Sequence, residues 1–458
     1  RLPLILKEIF FGISINASAV PLFENYVKDK QGYDFIKSIF IFLLIFFLFL
    51  IILFLIFTPN IIEIVAPKLI EIEGKTTILV ARITIFYILL SLVITILSIL
   101  LQINYIFYPI GIVTIIFNAI LLLSLYLSYK LNILSIYILS LAIIVAGLIQ
   151  IVYLILFLKK IKLIIFKKFS FKQSYIYAFL YLFLPAIIIY GTFSILKLAS
   201  YIFSNNTIGH ASYFYYADRL FEIPTNVISL SISIILLPFF TKLMQENKRD
   251  ELINIVTKSI RLLFIIVLPV VVLMFSIPEF IVSILFERGL FNKDSTKSTA
   301  LILQTLSLAI IPNCIIIVLL LIFFIQKNTK PLLYISLVII IFHLINLFYL
   351  NNSFLLVGSS IAIVLSFWLY LFCLIWILQK KMNIFDINFI YILGKYVVIN
   401  LFLVIYFYYF KEVILDKKFL YNFLIFFVSI LIYLFYLIIF DKIFVKDIIS
   451  KIFKNNDI

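Results

Sequence analysis

Residues 39–57 read IFIFLLIFFLFLIILFLIF, an unbroken run of 19 apolar side chains. A helix needs about 20 such residues to cross roughly 30 Å of hydrocarbon, so this run predicts a transmembrane helix. Runs of comparable length, separated by short polar joints, continue along the chain. They predict about thirteen spans, near 1–23, 36–58, 78–102, 105–127, 132–158, 176–203, 212–240, 261–286, 299–325, 332–350, 354–378, 388–410 and 419–440. Strands of a membrane barrel would instead alternate in polarity over about 10 residues, and the sequence lacks that pattern.

The composition agrees with a membrane protein. Of 458 residues, 65% are hydrophobic and 13% are charged, and the mean hydropathy is +1.26. A water-soluble globule does not have this balance, so we expect an all-α polytopic membrane protein. The two cysteines and two histidines are too few for a disulfide framework or a zinc motif. A Walker loop, a Rossmann fingerprint and an HExxH motif are also missing, so the sequence predicts no metal or cofactor and no enzyme.

The net charge of +16 is explained by where the basic residues lie. They concentrate in alternate loops, such as 159–172 and 242–261, and the intervening loops carry fewer. This asymmetry is the positive-inside pattern, which places the basic loops and the C-terminal tail in the cytoplasm. The charge therefore predicts topology and contact with membrane lipid headgroups, and it predicts no nucleic-acid partner.

Four landmarks recur at offsets of 217 to 222 residues, and they predict two homologous lobes. The pairs are Val20–Phe23 with Leu237–Phe240, Lys37–Ile39 with Lys258–Ile260, Pro59 with Pro278, and Pro109 with Pro331. Both copies share one membrane orientation, as in transporters built from parallel repeats. Chance matching between segments rich in Ile, Leu and Phe is the alternative. We assign the N-lobe to 1–172, the C-lobe to 173–381, and two C-terminal transmembrane helices with a tail to 382–458. That terminal pair has little interior polarity, which suits lipid-facing helices that act as an anchor or as a binding element.

Charged residues within spans are few, and their default interpretation is functional because each costs roughly 2.5–3.5 kcal/mol on insertion scales. Asp218, Arg219 and Glu222 have helical spacing, so they share one side of a helix and can pair locally. Such pairing at a helix end is itself the alternative to a binding role. Lys197 lies in mid-span, where it faces a cavity or snorkels. We expect it to line a cavity between the lobes with Lys7 and Arg219, because ammonium and guanidinium groups bind phosphate oxygens. Asn16, on the same helix as Lys7, either contributes to this site or packs against a neighbouring helix.

The chain resembles the MurJ (MviN) family of lipid II flippases, within a wider superfamily of multidrug, oligosaccharidyl-lipid and polysaccharide exporters. The similarity covers roughly residues 1–350 and is carried by several short segments: Arg1–Pro3, Asn16–Ala17, Val20–Pro21, Tyr215–Leu220 with Pro224, Leu237–Pro238, Leu285–Phe291 and Gln326–Pro331.

The resemblance implies fourteen helices, in two six-helix lobes plus a terminal pair, with both termini cytoplasmic. It implies a transporter in the bacterial inner membrane that carries lipid II to the outer leaflet for cell wall synthesis, and we expect this transporter to be a monomer. Alternating access would proceed without ATP hydrolysis, and the driving ion or potential stays open. By position Arg219 matches an essential arginine of the family, and Lys7 takes the place of another. Asp218 and Glu222 are then supporting ion-pair partners.

The chain departs from the family in three ways. The family's first helix precedes residue 1, so we expect the chain as given to lack that helix and not to transport. Lysine at position 7 keeps the charge but loses the bidentate fork of arginine. Glu8 and Leu4 stand where the family has a basic residue and Asn. Both replacements weaken an anion site on that helix.

Three other functions compete with lipid II transport. A flippase for another polyprenyl-pyrophosphate-linked oligosaccharide shares the cationic requirement. A cation-coupled multidrug exporter favours carboxylates in its cavity. A membrane-embedded glycosyltransferase needs a catalytic acid pair beside a sizeable extramembrane loop, and the sequence has no such loop.

Overall fold

The computed structural model describes residues 13–27, 32–65, 67–131, 135–161, 172–204, 209–354, 356–382, 384, 386–415 and 419–441. Within these ranges the chain forms helices and no strand. In chain order the helices are α1 Ile13–Val27, α2 Gly32–Val65, α3 Pro67–Thr84, α4 Tyr87–Gln102, α5 Tyr108–Leu131, α6 Ser135–Lys160, α7 Gln173–Ser204, α8 His210–Pro224, a π-helical turn Thr225–Leu230, α9 Ser231–Gln245, α10 Arg249–Ser276, α11 Pro278–Phe286, α12 Lys293–Ser307, α13 Ile310–Ile325, α14 Lys330–Ser353, α15 Gly358–Met382, α16 Ile387–Tyr409, α17 Lys411–Leu415 and α18 Phe419–Phe440.

The all-α polytopic fold is confirmed. Among the described residues, 10 helices are long and apolar enough to cross a membrane, or 11 if the pair α12 and α13, bent by 42°, forms one span. Four predicted spans run across helix breaks. The span 78–102 crosses the break after Thr84, 212–240 crosses the π-helical turn, 261–286 crosses the break before Pro278, and 299–325 crosses this bend. Most of the first predicted span, 1–23, lies outside the described residues.

The helix boundaries repeat as the sequence landmarks do. Helix α13 begins 223 residues after α4, and helix α14 begins 222 residues after α5. These nearly equal offsets support the internal repeat, because chance matches of apolar residues would not conserve the positions of helix starts.

Residue contacts divide the chain into two compact units, and each unit combines distant segments. The first comprises Arg1–Ile195, Ser231–Leu252 and Leu319–Val338. The second comprises Leu196–Leu230, Ile253–Val318 and Ile339–Ile458. The lobe boundaries at 172 and 381 stay a prediction.

Four prolines are accommodated by side chains from other helices. A proline has no N–H, so the carbonyl four residues earlier loses its helical donor, and within hydrocarbon that carbonyl needs a replacement. Pro59, Pro238, Pro269 and Pro312 each receive one. For Pro59, Arg82 donates to the Leu55 carbonyl at 3.2 Å, and for Pro238, Gln102 donates to the Ile234 carbonyl at 2.9 Å. For Pro269, Tyr433 donates to the Ile265 carbonyl at 2.8 Å, and for Pro312, Trp368 donates to the Leu308 carbonyl at 3.1 Å.

The C-terminal pair, α16 and α18, docks on α10 through buried polar groups as well as apolar ones. Arg261 of α10 donates from Nε to the Tyr396 hydroxyl at 2.9 Å and to Asp441 Oδ2 at 3.0 Å, and its NH2 group pairs with Asp441 Oδ1. Tyr396 also bonds Asp441. Leu268, Val272 and Phe280 pack in one apolar cluster with residues of α16 and α18. The pair therefore does not face lipid alone, because Tyr396 and Asp441 lie at its junction with α10.

Replacing Asp441 with alanine is expected to destabilise the second unit by about 3–5 kcal/mol, because the partly buried Arg261 would lose a carboxylate that it contacts through two nitrogens. Asp386 provides a matched control, since it caps α16 by accepting from the Phe389 N–H at 2.8 Å. Its replacement by alanine should cost only about 1 kcal/mol. Thermal unfolding of the purified variants in detergent measures the loss of stability in each. Equal losses would show that Asp441 has no more than a surface role.

Candidate functional site

An ion cluster, made of Lys197, Asp218, Arg219 and Glu222, joins α7 to α8 within the second unit. Lys197 Nζ lies 2.9 Å from Asp218 Oδ1 and 2.8 Å from Glu222 Oε1. Arg219 NH1 lies 2.6 Å from Glu222 Oε2. Two cations therefore face two carboxylates, and the cluster has no net charge. Such pairing lowers the cost of holding ionised groups in a membrane span.

Helical spacing and two helix ends set this geometry. Arg219 and Glu222 are three residues apart and meet on one face of α8. α8 begins after Gly209, whose φ of 87° is left-handed and favours glycine. At the other end, Pro224 is followed by the π-helical turn, a form common at functional sites. The Thr225 hydroxyl lies 3.1 Å from the carbonyls of both Phe221 and Glu222, which secures the end that carries the cluster.

Aromatic side chains complete the surroundings of the cluster. The Tyr201 hydroxyl donates to Asp218 Oδ2 at 3.0 Å. The Arg219 guanidinium lies 5.2 Å from the centre of the Tyr215 ring, and Lys197 Nζ lies 5.2 Å from the Phe221 ring, both within cation–π range. Our sequence reasoning did not assign Tyr201 or Tyr215 to the site. Their spacing of four residues from Lys197 and Arg219 is the signal that could have found them.

The two cations differ in how much of each side chain is exposed. The side chain of Asp218 is 3% exposed, that of Lys197 19%, and that of Arg219 42%. The Arg219 Nε is buried without a hydrogen-bond partner in the described part of the chain. Arg219 thus retains donor capacity for an anion, whereas the less exposed Lys197 already directs its ammonium group at Asp218 and Glu222.

The remaining predicted site residues are Lys7 and Asn16. Lys7 falls in 1–12, outside the described residues. Asn16 lies on α1 in the first unit, and its buried Oδ1 has no hydrogen-bond partner among the described residues. On the same helix Ser14 and Ser18 are fully buried, and Ser18 donates to the Ser14 carbonyl at 2.7 Å. The structure therefore brings Lys197, Asp218, Arg219 and Glu222 together and leaves the roles of Lys7 and Asn16 as predictions. Over the described ranges, His, Cys, Asp and Glu form no group able to hold a metal ion.

The sequence profile of the family described as "Lipid II flippase MurJ" matches residues 1–430. The chain belongs to this family. Among MurJ relatives, a protein of Buchnera aphidicola subsp. Baizongia pistaciae, described as "Probable lipid II flippase MurJ", is 27% identical over 392 residues. The alignment covers 82% of this chain and 74% of the relative.

Solved structures share the fold. A structure titled "Lipid II flippase MurJ, inward closed conformation" matches with a TM-score of 0.65 and 21% identity, over 98% of this chain and 91% of that one. An outward-facing multidrug resistance MATE family transporter of the MOP superfamily matches with a TM-score of 0.67 and 15% identity, over 83% and 85% of the two chains. Since both scores are similar, the fold does not separate MurJ proteins from multidrug transporters. The family assignment therefore rests on the sequence.

Proposed function

We propose that this protein is a lipid II flippase, which carries the lipid-linked peptidoglycan precursor from the inner to the outer leaflet of the bacterial inner membrane by alternating access. Membership of the MurJ family supports the reaction, and the ion cluster supports a mechanism for holding the headgroup. The observation that carries the proposal is a membrane-embedded arginine, 42% exposed, with a buried donor that no described group accepts.

The chemistry of the headgroup fits that arginine. A pyrophosphate presents several anionic oxygens, and a guanidinium donates to them through charge-assisted, often bidentate hydrogen bonds. Before substrate enters, Glu222 pairs with both Arg219 and Lys197, and Asp218 supplies the second negative charge through its contact with Lys197. An incoming pyrophosphate offers the same kind of acceptor. It first occupies the remaining donors of Arg219, and it reaches Lys197 as Glu222 is displaced. Release reverses the exchange, because the carboxylates compete for the same cations.

Other parts of the proposal rest on the sequence. Lys7 and Asn16 are assigned to the substrate site with Arg219 and Lys197, and Asp218 and Glu222 are their ion-pair partners. The protein acts as a monomer with a cytoplasmic C-terminus. Its cycle moves a lipid without covalent chemistry, and an ion gradient or the membrane potential drives it.

Growth of a bacterium depleted of its own lipid II flippase tests this function. Expression of the protein from its whole open reading frame is expected to restore growth and wall synthesis. Rescue of O-antigen display in a strain lacking that flippase, without rescue of the lipid II strain, would point to another polyprenyl-linked glycan. Drug resistance without either rescue would point to a multidrug exporter and contradict the proposal.

A further inference from the structure

A second polar cluster surrounds the one buried histidine in the described part of the chain. His343 of α14 is 0% exposed. Its Nε2 lies 3.0 Å from the Leu196 carbonyl and 3.1 Å from Ser200 Oγ, both on α7. Its Nδ1 lies 3.0 Å from Ser366 Oγ on α15. Both ring nitrogens thus have a partner, and all three helix segments belong to the second unit.

The neighbours of the ring permit two protonation states. A carbonyl only accepts, so the contact with Leu196 requires a proton on Nε2. Ser366 donates its single proton to the Ala362 carbonyl at 2.7 Å. With that bond in place, Ser366 Oγ can only accept from Nδ1, and the ring is then an imidazolium. If the Ser366 hydroxyl turns towards Nδ1 instead, the neutral ring is satisfied. Rotation of one hydroxyl therefore accommodates the gain or loss of a proton at Nδ1, and no backbone movement is needed.

We propose that His343 is a proton-binding site of the transporter. The proton adds to the lone pair of Nδ1, Nε2–H stays on the Leu196 carbonyl, and the site gains one positive charge without breaking a covalent bond. Histidine is the side chain suited to this role near neutral pH. Burial opposes the charge, and the two hydrogen bonds donated by the charged ring partly offset that cost.

The charges on the surrounding helices connect this site to the ion cluster. On α7, Lys197 follows Leu196 directly, and Tyr201 follows Ser200. Lys197 is held by Asp218 and Glu222 of α8, and Arg219 is the fourth member of that cluster. On α15 the ionisable groups are Tyr370, Cys373, Lys380 and Lys381, and on α14, besides His343, they are Lys330, Tyr334 and Tyr349. Among the described residues, no carboxylate contacts the ring to cancel its charge.

A proton on His343 therefore makes the neighbourhood of the neutral ion cluster more positive. An anion binds better to a more positive site, and by linkage the bound anion favours the proton. If the proposed function holds, proton uptake and headgroup binding strengthen each other. The proton then becomes a candidate for the ion that drives transport.

The chain contains only two histidines, which makes a direct measurement possible. In a His210→Gln variant, the ¹⁵N signals of labelled histidine come from His343 alone. We expect the ring, in the purified full chain in lipid nanodiscs, to change from the neutral Nε2–H form to imidazolium within about pH 4 to 8. A single neutral form across that range, in protein that stays folded by circular dichroism, would overturn the proton site. A His343→Gln variant that retains His210 fixes the assignment.

Binding of inorganic pyrophosphate provides a second readout that does not depend on transport. Its affinity is expected to rise at the acidic end of the titration in wild type and to be independent of pH in the His343→Gln variant. Equal pH dependence in both proteins would overturn the coupling to the ion cluster. A failure to move lipid II, with the ring still titrating, would contradict the proposed function and leave the proton site standing.

Discussion

Alanine in place of Arg219 is expected to abolish rescue of a flippase-depleted strain. Hydrogen bonds to charged groups contribute about 1.5–3 kcal/mol, so loss of the guanidinium should weaken lipid II binding roughly 10- to 150-fold. It also removes one partner of Glu222. Growth of the depleted strain and lipid II binding to purified protein measure the two effects.

Two further substitutions make the Arg219 experiment specific. Arg219→Lys keeps the charge without the planar fork, so it should give intermediate binding. Arg249→Ala removes an exposed arginine at the start of α10 and should grow like wild type. Normal growth of the Arg219→Ala strain would reject the role assigned to this residue.

Replacing Lys197 with methionine is expected to cost about 3–5 kcal/mol of stability, because Asp218 would keep its charge at 3% exposure with no cation beside it. The double variant Lys197→Met with Asp218→Asn removes both charges. Its amide oxygen can still accept from the Tyr201 hydroxyl. Most of the lost stability should therefore return in the double variant.

Thermal unfolding in detergent measures the stability of the wild type and of the single and double variants. Lys380→Met is the matched control, since Lys380 lies in the last turn of α15 with Nζ 3.9 Å from the centre of the Trp376 ring, and an exposed contact of this kind contributes only about 0.5–1 kcal/mol. If the single and double variants at position 197 unfold alike, the buried charges do not interact as the structure indicates.

Hydropathy predicts most of the helices because each span must be apolar over its whole length. The run at 39–57 lies within α2, and the span predicted at 176–203 matches α7 to within a few residues. The bend between α12 and α13 has no such signal, since apolar residues continue through Leu308 and Ala309. The sequence signal for the bend is Pro312. Because proline has no N–H, the Leu308 carbonyl lacks its helical donor, and Trp368, 60 positions away, donates to it instead.

The candidate site likewise has one part that the sequence predicts and one part that it does not. Spacing alone places Arg219 beside Glu222, because both lie on one helix. The contact of Lys197 with both acids depends on how α7 packs against α8, and this is a tertiary contact that composition does not encode. Asp441 illustrates the limit most clearly. It follows a long apolar helix and resembles a solvated end residue, yet it is 6% exposed and pairs with Arg261, 180 positions earlier.

Movement of lipid II between the leaflets of vesicles that contain only the purified protein tests the central claim most directly. Fluorescent lipid II is placed in both leaflets, and a quencher is added outside the vesicles. Lipid II of the inner leaflet is quenched only if the protein moves it to the outer leaflet. We expect quenching beyond the outer-leaflet fraction for the wild-type protein and no such increase for Arg219→Ala at equal incorporation. Equal quenching with both proteins would contradict the account. Quenching of the outer-leaflet fraction alone with both proteins, in vesicles supplied with a proton gradient and a membrane potential, would also contradict it.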